Sequence, residues 1–307
     1  MEEKLVSLPE AIRAHVSDGD CVVLGACLEA AIPFAATYEI IRQGKRGLDV
    51  AAPISDTSSD LLIGAGCVGQ VTGAWVGNVS SGLGHNYRRA VEHGEPHALK
   101  IRDHSNLSFG MALLAAAYGM PYAPVRTLLG SDILTSNPEF RLAENPFSNG
   151  GEKTVLVPPL APDVTILCVQ RADVFGNCHF WGSSGVAAEA ALAATSVVLL
   201  ADEVVPPEVI ASDPSRVLVP GYRVNAVCHV PAACHPAPMT GRWQRDSAFF
   251  DDYHKRTRER GGFLAWLDEW VLGLEDHDAY RTKLGASLED LRIKGEALSA
   301  PANYAAH

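Results

Sequence analysis

The sequence predicts an α/β fold with a mostly parallel sheet that has helices on both faces, followed by a helical carboxy-terminal extension. Two observations support this prediction. The continuous apolar runs 164–169 and 197–201 are typical of strands whose two faces are both covered. The alanine-rich segment 186–194 between them has the composition of a helix, and strand, helix and strand at this spacing indicate βαβ units.

Local signals place the elements of the first half of the chain. Ser7 can cap the amide of Glu10, Glu10 can reach back to Ser7, and Pro9 needs no amide partner in a first helical turn. Gly44 fits the left-handed residue that follows a helix. In chain order we predict a helix over 7–15, a strand over 21–25, a helix over 33–43, a strand over 48–52, a helix over 59–63, an extended segment over 70–76, a helix over 86–93, an extended segment over 98–102 and a helix over 107–118.

The composition changes at Arg242, where aromatic residues become interleaved with many charges. This pattern predicts helices, and packing of the aromatic side chains against the sheet is favoured over a partner surface. We therefore assign residues 1–241 to one α/β domain and residues 242–307 to a helical extension packed on the same domain. The aromatic residues concerned are Trp243, Phe249, Phe250, Tyr253, Phe263, Trp266 and Trp270.

Charge and hydropathy exclude several classes of function. The 36 acidic and 25 basic residues give a net charge of −11, which argues against binding to a nucleic-acid backbone. No apolar run approaches the ~20 residues that a bilayer span requires, and Glu2 and Glu3 stand where a secretory signal would be basic. We expect a cytoplasmic protein that contacts neither membrane nor nucleic acid.

The seven cysteines are scattered and odd in number, and they contain no C-x-x-C pair. This usage predicts buried free thiols and not a disulfide framework or a zinc ribbon. The pairs Cys228-His229 and Cys234-His235 have metal-ligating atoms, but their spacing around two prolines is unusual for a metal site. We therefore predict no metal.

Residues 64–69 read GAGCVG and match the dinucleotide-binding motif G-x-G-x-x-G. In a dinucleotide site this motif closes a strand and opens a helix. Here a helical pattern precedes it, an extended pattern follows it, and no acidic residue lies at 84–91 to bind a ribose. A helix stop followed by a turn explains these glycines better than a nicotinamide site.

Four stretches in one order carry more specific information. They are DGD to EIIRQG over 18–44, MPYAPVRTLLGSD over 120–132, PDV to GN over 162–177, and GY to HP over 221–236. Together they resemble the α subunits of family I CoA-transferases, which include glutaconate CoA-transferase and the similar α subunit of a steroid-ring-cleaving hydrolase. The resemblance runs from about residue 4 to 285, which is nearly the whole chain.

The resemblance implies two related α/β subunits that meet at the active site, with the β subunit supplying a glutamate nucleophile from a Ser-Glu-x-Gly motif. That motif is absent from this sequence, and its nearest look-alike, Glu144, lies in a Pro/Gly/Asn-rich segment. This chain is therefore expected to be the α subunit of a heterodimer or heterotetramer. Coenzyme A is implied as a substrate, with acyl-CoA and a carboxylic acid as reactants, and no permanently bound cofactor is expected.

The resemblance also suggests a turn that binds the CoA thioester. In the family, a glycine-rich turn after the first strand places backbone amides near the thioester oxygen, where fixed donors stabilise developing charge. The matching residues are Gly25, Ala26 and Cys27, although the usual second glycine and aromatic residue are replaced. For Cys27, a packing thiol is favoured over a nucleophile. His85, in a polar loop, is a further candidate for CoA binding, with a solvated histidine as the alternative.

Asp103 and Ser105 follow a predicted strand and precede a helix, which is where open α/β sheets hold ligands. In the hydrolase-like α subunits a glutamate acts in the matching stretch, where this chain has Asp103. Capping of the helix by Ser105 or Asp103 is the alternative. Arg126 can pair with a substrate carboxylate, or form a structural ion pair with Asp132. Asp103, Ser105 and Arg126 are therefore the catalytic candidates.

The sequence leaves three functions open. The favoured one is transfer of CoA between carboxylic acids, with a β chain that holds the nucleophile. The second is hydrolysis of a CoA thioester or cleavage of a carbon–carbon bond on the same scaffold, with Asp103 or its neighbour as base. The third is a ligand-binding member without catalysis, suggested by the altered turn at residues 25–27.

Overall fold

A computed structural model describes residues 2–294 of the chain. The strands in this range are β1 (Cys21–Leu24), β2 (Leu48–Ile54), β3 (Val68–Trp75), β4 (Gly77–Asn78), β5 (Gly82–Leu83), β6 (Lys100–Asp103), β7 (Ala123–Val125), β8 (Arg141–Glu144), β9 (Lys153–Val157), β10 (Val164–Val169), β11 (Arg171–Ala172), β12 (Cys178–His179), β13 (Ser196–Ala201) and β14 (Ala226–His229).

The helices in the same range are α1 (Leu8–His15), α2 (Phe34–Arg42), α3 (Asp56–Gly64), α4 (His85–His93), α5 (Asn106–Ala117), α6 (Ile133–Ser136), α7 (Ala187–Ala193), α8 (Pro207–Ala211), α9 (Ser247–Arg256), α10 (Arg260–Leu267), α11 (His277–Leu284) and α12 (Ala286–Asp290). No helix of this part of the chain is both long enough and apolar enough to cross a bilayer.

A seven-stranded sheet forms the core, with the strand order β14-β13-β10-β1-β2-β3-β6 and parallel pairing throughout. Every residue of β10 and β13 is buried, with α7 packed on β10 and α1 packed on β13, and α5 lies beside α7 on one face of the sheet. The connections through α2, α3 and α4 extend the sheet from β1 towards β6, whereas the connection through α7 extends it from β10 towards β14. Because such connections are right-handed, helices that extend the sheet in opposite directions lie on opposite faces. The predicted mostly parallel sheet with helices on both faces is confirmed.

The order of the strands reverses between β1 and β10, which are neighbours in the sheet. From β1 the chain adds β2, β3 and β6 on one side, and from β10 it adds β13 and β14 on the other. Open α/β sheets bind ligands in the crevice beyond the carboxyl ends of the strands at this reversal. The carboxyl edge at β1 and β10 is therefore the place where a ligand is expected.

Short-range signals in the sequence predicted the helix ends well. Ser7 and Glu10 form the reciprocal capping box at the start of α1, and Gly44 follows α2 with a φ of 65°. By contrast, α3 begins at Asp56, three residues earlier than predicted. Asp56 itself has a φ of 45°, which is rare for a residue other than glycine.

The proline-rich middle of the chain contains a small antiparallel sheet, of order β7-β9-β8, that the sequence pattern did not reveal. Its strands are short, and Pro124 lies inside one of them, which removes a normal strand signal. Glu144 ends β8, and its carboxylate lies 2.9 Å from Nζ of Lys153. This pairing supports the interpretation of Glu144 as a structural residue.

The carboxy-terminal extension is helical, as predicted, and packs on the sheet domain. Phe250 is fully buried, with its ring 6.0 Å from that of Phe34, and Tyr253 donates a hydrogen bond to the buried Asp60. Core packing was thus correctly favoured for Phe250 and Tyr253, although the contacts described are with α2 and α3 and the prediction named the sheet. The division at residue 242 stays a prediction, and residues 295–307 of the extension lie outside the described range.

The glycines at 64–69 do not form a dinucleotide site. Gly64 ends α3, and Gly66 makes a turn with a φ of 76°. A Cβ on Gly69 would lie 3.2 Å from the carbonyl oxygen of Gly47. The motif runs from the end of α3 into the first two residues of β3 and thus lies at the amino edge of the sheet, opposite the edge where a ligand is expected. The interpretation as a helix stop and turn is confirmed.

Candidate active site

Backbone strain is concentrated at the carboxyl edge of the main sheet. The non-glycine residues with a positive φ among residues 2–294 are Leu28, Ala31, Asp56 and Ala232. The first two follow β1, the third follows β2 and the last follows β14. Because strained backbone persists only where the surrounding structure enforces it, such residues cluster at functional sites. This edge is therefore the best candidate for the active site.

The turn after β1 contains Gly25, Ala26 and Cys27. Gly25 has a φ of 66° and is packed against Ile32, so glycine is required there, whereas Ala26 does not have a positive φ. Ala26 and Cys27 are buried. Burial raises the pKa of the Cys27 thiol to about 12, which favours a packing thiol over a nucleophile.

The segment before α7 covers this turn. Val186 donates its backbone N–H to the carbonyl oxygen of Ala26 at 2.9 Å. Gly185 has a φ of 53°, and a Cβ at this position would collide with the same carbonyl oxygen. The candidate thioester-binding turn is thus fixed in position but closed to solvent by the residues around Gly185.

Asp103 ends β6 and is half-buried at the carboxyl edge. Its carboxylate accepts a hydrogen bond of 3.1 Å from Oγ of Ser136, and its carbonyl oxygen accepts one of 3.0 Å from Nδ2 of Asn137. The predicted position at the end of a strand is confirmed. Asp103 itself does not cap the following helix.

Ser105 caps α5. Its Oγ accepts a hydrogen bond of 3.0 Å from the backbone N–H of Ser108, and the Ser108 hydroxyl accepts one of 2.9 Å from the N–H of Ser105. The capping alternative for Ser105 is therefore realised. Ser105 is only partly buried.

His104, between the two candidates, was not singled out in the sequence. It is buried between the rings of Phe109 and Phe140, and its Nδ1 lies 3.2 Å from Oγ of Ser108. Burial, with a contribution from the charge of Arg102, lowers the pKa of His104 to about 4. The imidazole is consequently neutral at pH 7 and serves as a structural support for Ser105.

The turn after β1 and the start of α5 lie at the same edge but do not form one hydrogen-bonded cluster. Two strands separate β1 from β6, which corresponds to about 14 Å at ~4.8 Å per strand spacing. Val186 contacts both regions. Its backbone N–H donates to the carbonyl oxygen of Ala26, and its side chain packs against Gly110 of α5, where an added Cβ would lie 3.0 Å from Cγ1 of Val186. A long substrate could therefore contact both.

Arg126 lies apart from these residues. Its side chain is 75% exposed, and its guanidinium is 3.9 Å from the carboxylate of Glu152. The alternative of an ion pair with Asp132 is wrong, because β7 and β9 pair and bring Glu152 closer. Within residues 2–294, no hydrogen bond or ion pair joins Arg126 to the other catalytic candidates.

His85 does not lie in a flexible polar loop, so that prediction is wrong. It is the first residue of α4 and half-buried, and its ring lies 4.4 Å from that of His254 at an angle of 35°. Burial, and next the charge of His254, lower the pKa of His85. The helix starts here because the carboxylate of Asp60 accepts the N–H of Tyr87 at 2.8 Å, a cap from a distant part of the chain.

Three of the four residues in the cysteine–histidine pairs are buried, and His229 is exposed. His235 has Nδ1 2.6 Å from the hydroxyl of Tyr280 and Nε2 3.2 Å from the carboxylate of Asp246. Cys228 and Cys234 are buried in the core. Among residues 2–294 there is no group of three acidic, histidine or cysteine side chains placed to hold a metal ion.

The fold and the strained carboxyl edge define a doubly wound α/β protein, a class whose members hold ligands where the strand order reverses. A profile of the coenzyme A transferase family matches residues 5–229. The chain belongs to this family, and the resemblance inferred from its motifs is confirmed.

Three comparisons show which members the chain is similar to. It is 39% identical over 281 residues to a 3-oxoadipate CoA-transferase subunit of Pseudomonas knackmussii, covering 92% of this chain and 98% of that protein. Glutaconate coenzyme A-transferase from Acidaminococcus fermentans superposes with a TM-score of 0.89 and 31% identity, covering 95% of this chain and 96% of that chain. The IpdA subunit of a cholesterol ring-cleaving hydrolase from Mycobacterium tuberculosis is 25% identical, covering 94% of this chain and 100% of that protein.

Proposed function

We propose that this chain is the α subunit of an acyl-CoA:carboxylate CoA-transferase whose β subunit supplies the glutamate nucleophile. The single observation that carries this proposal is the 39% identity to a CoA-transferase subunit over nearly the full length of both chains. The absence of a Ser-Glu-x-Gly motif from the sequence supports the need for a partner. The complex is a heterodimer or a heterotetramer of the two chains.

In the proposed reaction, the β-subunit carboxylate attacks the thioester carbonyl, CoA leaves as thiolate, and a mixed anhydride forms. The thiolate then attacks the glutamyl carbonyl and releases the donor acid, which leaves a glutamyl-CoA thioester. The acceptor acid reverses these steps. The α subunit contributes fixed hydrogen-bond donors to the oxyanions of both steps, and the backbone of Gly25, Ala26 and Cys27 is the candidate for this role.

Because Ala26 and Cys27 are buried, this role requires that the residues around Gly185 move when the substrate or the β subunit binds. Asp103 and Ser105 then lie at the same edge as polar groups that orient the acyl group. Arg126 is an exposed guanidinium available to a substrate carboxylate. We propose dicarboxylic acids as acceptors, because the two related transferases are named after 3-oxoadipate and glutaconate, which are both dicarboxylates.

A cytoplasmic location is part of the proposal. The seven cysteines are all free, and six of them are buried, which fits a reducing compartment. Coenzyme A acts as a substrate in this scheme.

A hydrolytic function is the second candidate. The match to the cholesterol ring-cleaving hydrolase subunit covers 100% of that protein, and Asp103 provides a carboxylate beside the start of α5 that can act as a general base toward water. The sequence of the partner distinguishes the two functions. A β subunit with its Ser-Glu-x-Gly glutamate supports transfer, and one without it supports hydrolysis.

The test is to purify this chain in complex with its β subunit, and then to supply an acyl-CoA without an acceptor acid. Borohydride reduction or hydroxylamine then traps the covalent intermediate, and peptide mass spectrometry locates it. We expect a glutamyl thioester on the β subunit, and transfer of CoA once a dicarboxylate is added. A thioester located on this chain, or acid release without any covalent intermediate, would contradict the proposal.

A further inference from the structure

A pocket of about 150 Å³ lies along the outer face of α4, where the turn after α9 approaches it. It is lined by His85, Arg88, Arg89, Glu92, His93 and Arg258. Three guanidinium groups and one carboxylate therefore surround a small cavity, although the chain as a whole has a net charge of −11. A concentration of positive charge against the overall sign of the protein indicates a site for an anion.

Hydrogen bonds to the backbone hold part of the pocket wall in place. Nη1 of Arg89 donates to the carbonyl oxygens of Thr257 and Arg258 at 3.0 and 2.8 Å, and Nη2 donates to Oδ1 of Asn86 at 2.6 Å. These bonds hold the backbone of the turn that contains Arg258 against α4. Arg88 pairs with Glu92 at 2.9 Å, and both are half exposed, so an anion can approach them from solvent.

One lining imidazole, that of His85, is backed by a second imidazole, that of His254. The rings of His85 and His254 are 4.4 Å apart, and Nε2 of His85 is buried without a hydrogen-bond partner. Burial lowers the pKa of both imidazoles, so they are neutral at pH 7, and His85 offers the pocket one N–H donor. Neutral donors beside guanidinium groups suit an oxyanion, which accepts hydrogen bonds only.

The pocket also has the right relation to the candidate active site. Tyr87, in the first turn of α4, has a raised pKa because of burial and because the Asp103 carboxylate is nearby. The start of α4 therefore lies beside Asp103, and His93 lies eight residues beyond His85 along the helix, about 12 Å away at 1.5 Å per residue. CoA has its reacting sulfur at one end and its phosphates at the other, separated by a long flexible arm.

We propose that the pocket between α4 and Arg258 binds the phosphate groups of coenzyme A while the thioester occupies the carboxyl edge of the sheet. This inference rests on the proposed function, because it assumes acyl-CoA as the substrate. Arg88 and Arg258 make charge-assisted hydrogen bonds to the phosphate oxygens, and Arg89 keeps the cavity open by anchoring the turn. The competing explanation is a solvated charged helix face that binds nothing.

The experiment uses the complete α and β complex and the double variant Arg88→Ala, Arg258→Ala. Arg89 is left intact because it holds backbone carbonyl groups. KM and kcat are measured with an acyl-CoA, with the same acyl-dephospho-CoA, which lacks the 3′-phosphate, and with the same acyl-pantetheine, which lacks all phosphates. The matched control is Arg13→Ala, which removes an exposed arginine from α1.

For the double variant we expect KM for acyl-CoA to rise about tenfold with kcat within twofold, and KM for acyl-pantetheine to stay unchanged. The Arg88→Lys, Arg258→Lys variant keeps the charge and should raise KM for acyl-CoA less than threefold. If the double variant no longer raises KM when the substrate is acyl-dephospho-CoA, the pocket binds the 3′-phosphate. If the double variant still raises KM with that substrate, the pocket binds the pyrophosphate. Either result supports the inference.

The inference is overturned if KM for acyl-CoA is unchanged in the double variant, or if KM for acyl-pantetheine rises by the same factor. The control Arg13→Ala should leave both KM values unchanged. If the wild-type complex transfers CoA from none of the three donors, the proposed function fails first. That outcome is distinct from an active complex whose KM is insensitive to Arg88 and Arg258.

Discussion

The carboxylate of Asp56 and the guanidinium of Arg245 lie 2.9 Å apart, and Asp56 has no exposed surface. Asp56 follows β2 at the carboxyl edge and has a φ of 45°, whereas Arg245 belongs to the carboxy-terminal extension. The same guanidinium donates to Oγ of Ser80 at 3.0 Å. Arg245 of the extension therefore holds the strained residue Asp56 and the loop that contains Ser80 in place, at the edge where the ligand is expected.

Removing one partner of this buried pair leaves an uncompensated charge. Asp56→Ala or Arg245→Ala should each lower the free energy of unfolding by about 3–5 kcal/mol, measured by urea denaturation. The double variant Asp56→Ala, Arg245→Ala should cost less than the sum of the two single changes. Additive effects in this cycle would show that the two side chains do not interact.

A matched control for the ion pair lies in the same extension. Arg256 pairs with Glu269 at 2.7 Å, but both side chains are about a third or more exposed. Arg256→Ala should lower the free energy of unfolding by at most about 1 kcal/mol, because solvent screens such pairs.

The segment that covers the turn after β1 tolerates no side chain at Gly185. A Cβ there would collide with the carbonyl oxygen of Ala26, and the φ of 53° disfavours alanine. We expect Gly185→Ala to destabilise the protein by at least about 2 kcal/mol in thermal unfolding and to lower the rate of CoA transfer. Gly150→Ala, which meets no atom within 4 Å, should change neither by a measurable amount. Equal behaviour of the two variants would refute the role assigned to Gly185.

The sequence predicted those parts of the fold that depend on neighbours in the chain or on simple burial. Ser7 and Glu10 cap each other across three residues, and the runs in β10 and β13 are apolar because both faces are covered. The pattern also predicted α4 from residue 86 and left only its first residue, His85, in a loop, because the Asp60 carboxylate that caps this helix is 27 residues away from Tyr87.

The candidate site was predictable to the same limited extent. Family resemblance and strand ends identified the turn at Gly25 and the start of α5, and Asp103 lies where the pattern placed it. The pairing of Arg126 with Glu152 depends on a small sheet that has no periodic signal. The Asp56–Arg245 pair joins residues 189 positions apart, and no spacing rule connects them.

The two roles of Ser105, as helix cap and as a group that contacts substrate, can be separated by the choice of substitution. Ser105→Ala removes the cap and should cost about 1 kcal/mol of stability. Ser105→Asn keeps a good cap, so its stability should be close to that of the wild type. If Ser105 contacts the acyl group, Ser105→Asn should nevertheless transfer CoA at least tenfold more slowly. A stable and fully active Ser105→Asn variant would restrict Ser105 to capping.

Two buried histidines should make the protein sensitive to acid. Burial lowers the pKa of His104 and of His277 to about 4, while unfolding returns each imidazole to an ordinary value near 6.5. Between pH 6.5 and pH 4 the unfolded chain therefore binds protons that the native chain does not bind. The free energy of unfolding falls as the pH falls through this window, by up to about 3 kcal/mol for each histidine.

The two histidines are separable by substitution. His104→Gln and His277→Gln each remove one titrating group, so each variant should lose less stability than the wild type between pH 7 and pH 4.5, even if it is less stable at pH 7. Nε2 of His277 is 2.9 Å from the carbonyl oxygen of Pro231, and His104 contacts Ser108. Urea denaturation at a series of pH values measures the difference. Identical pH slopes in the wild type and both variants would mean that neither imidazole is held neutral in the native state.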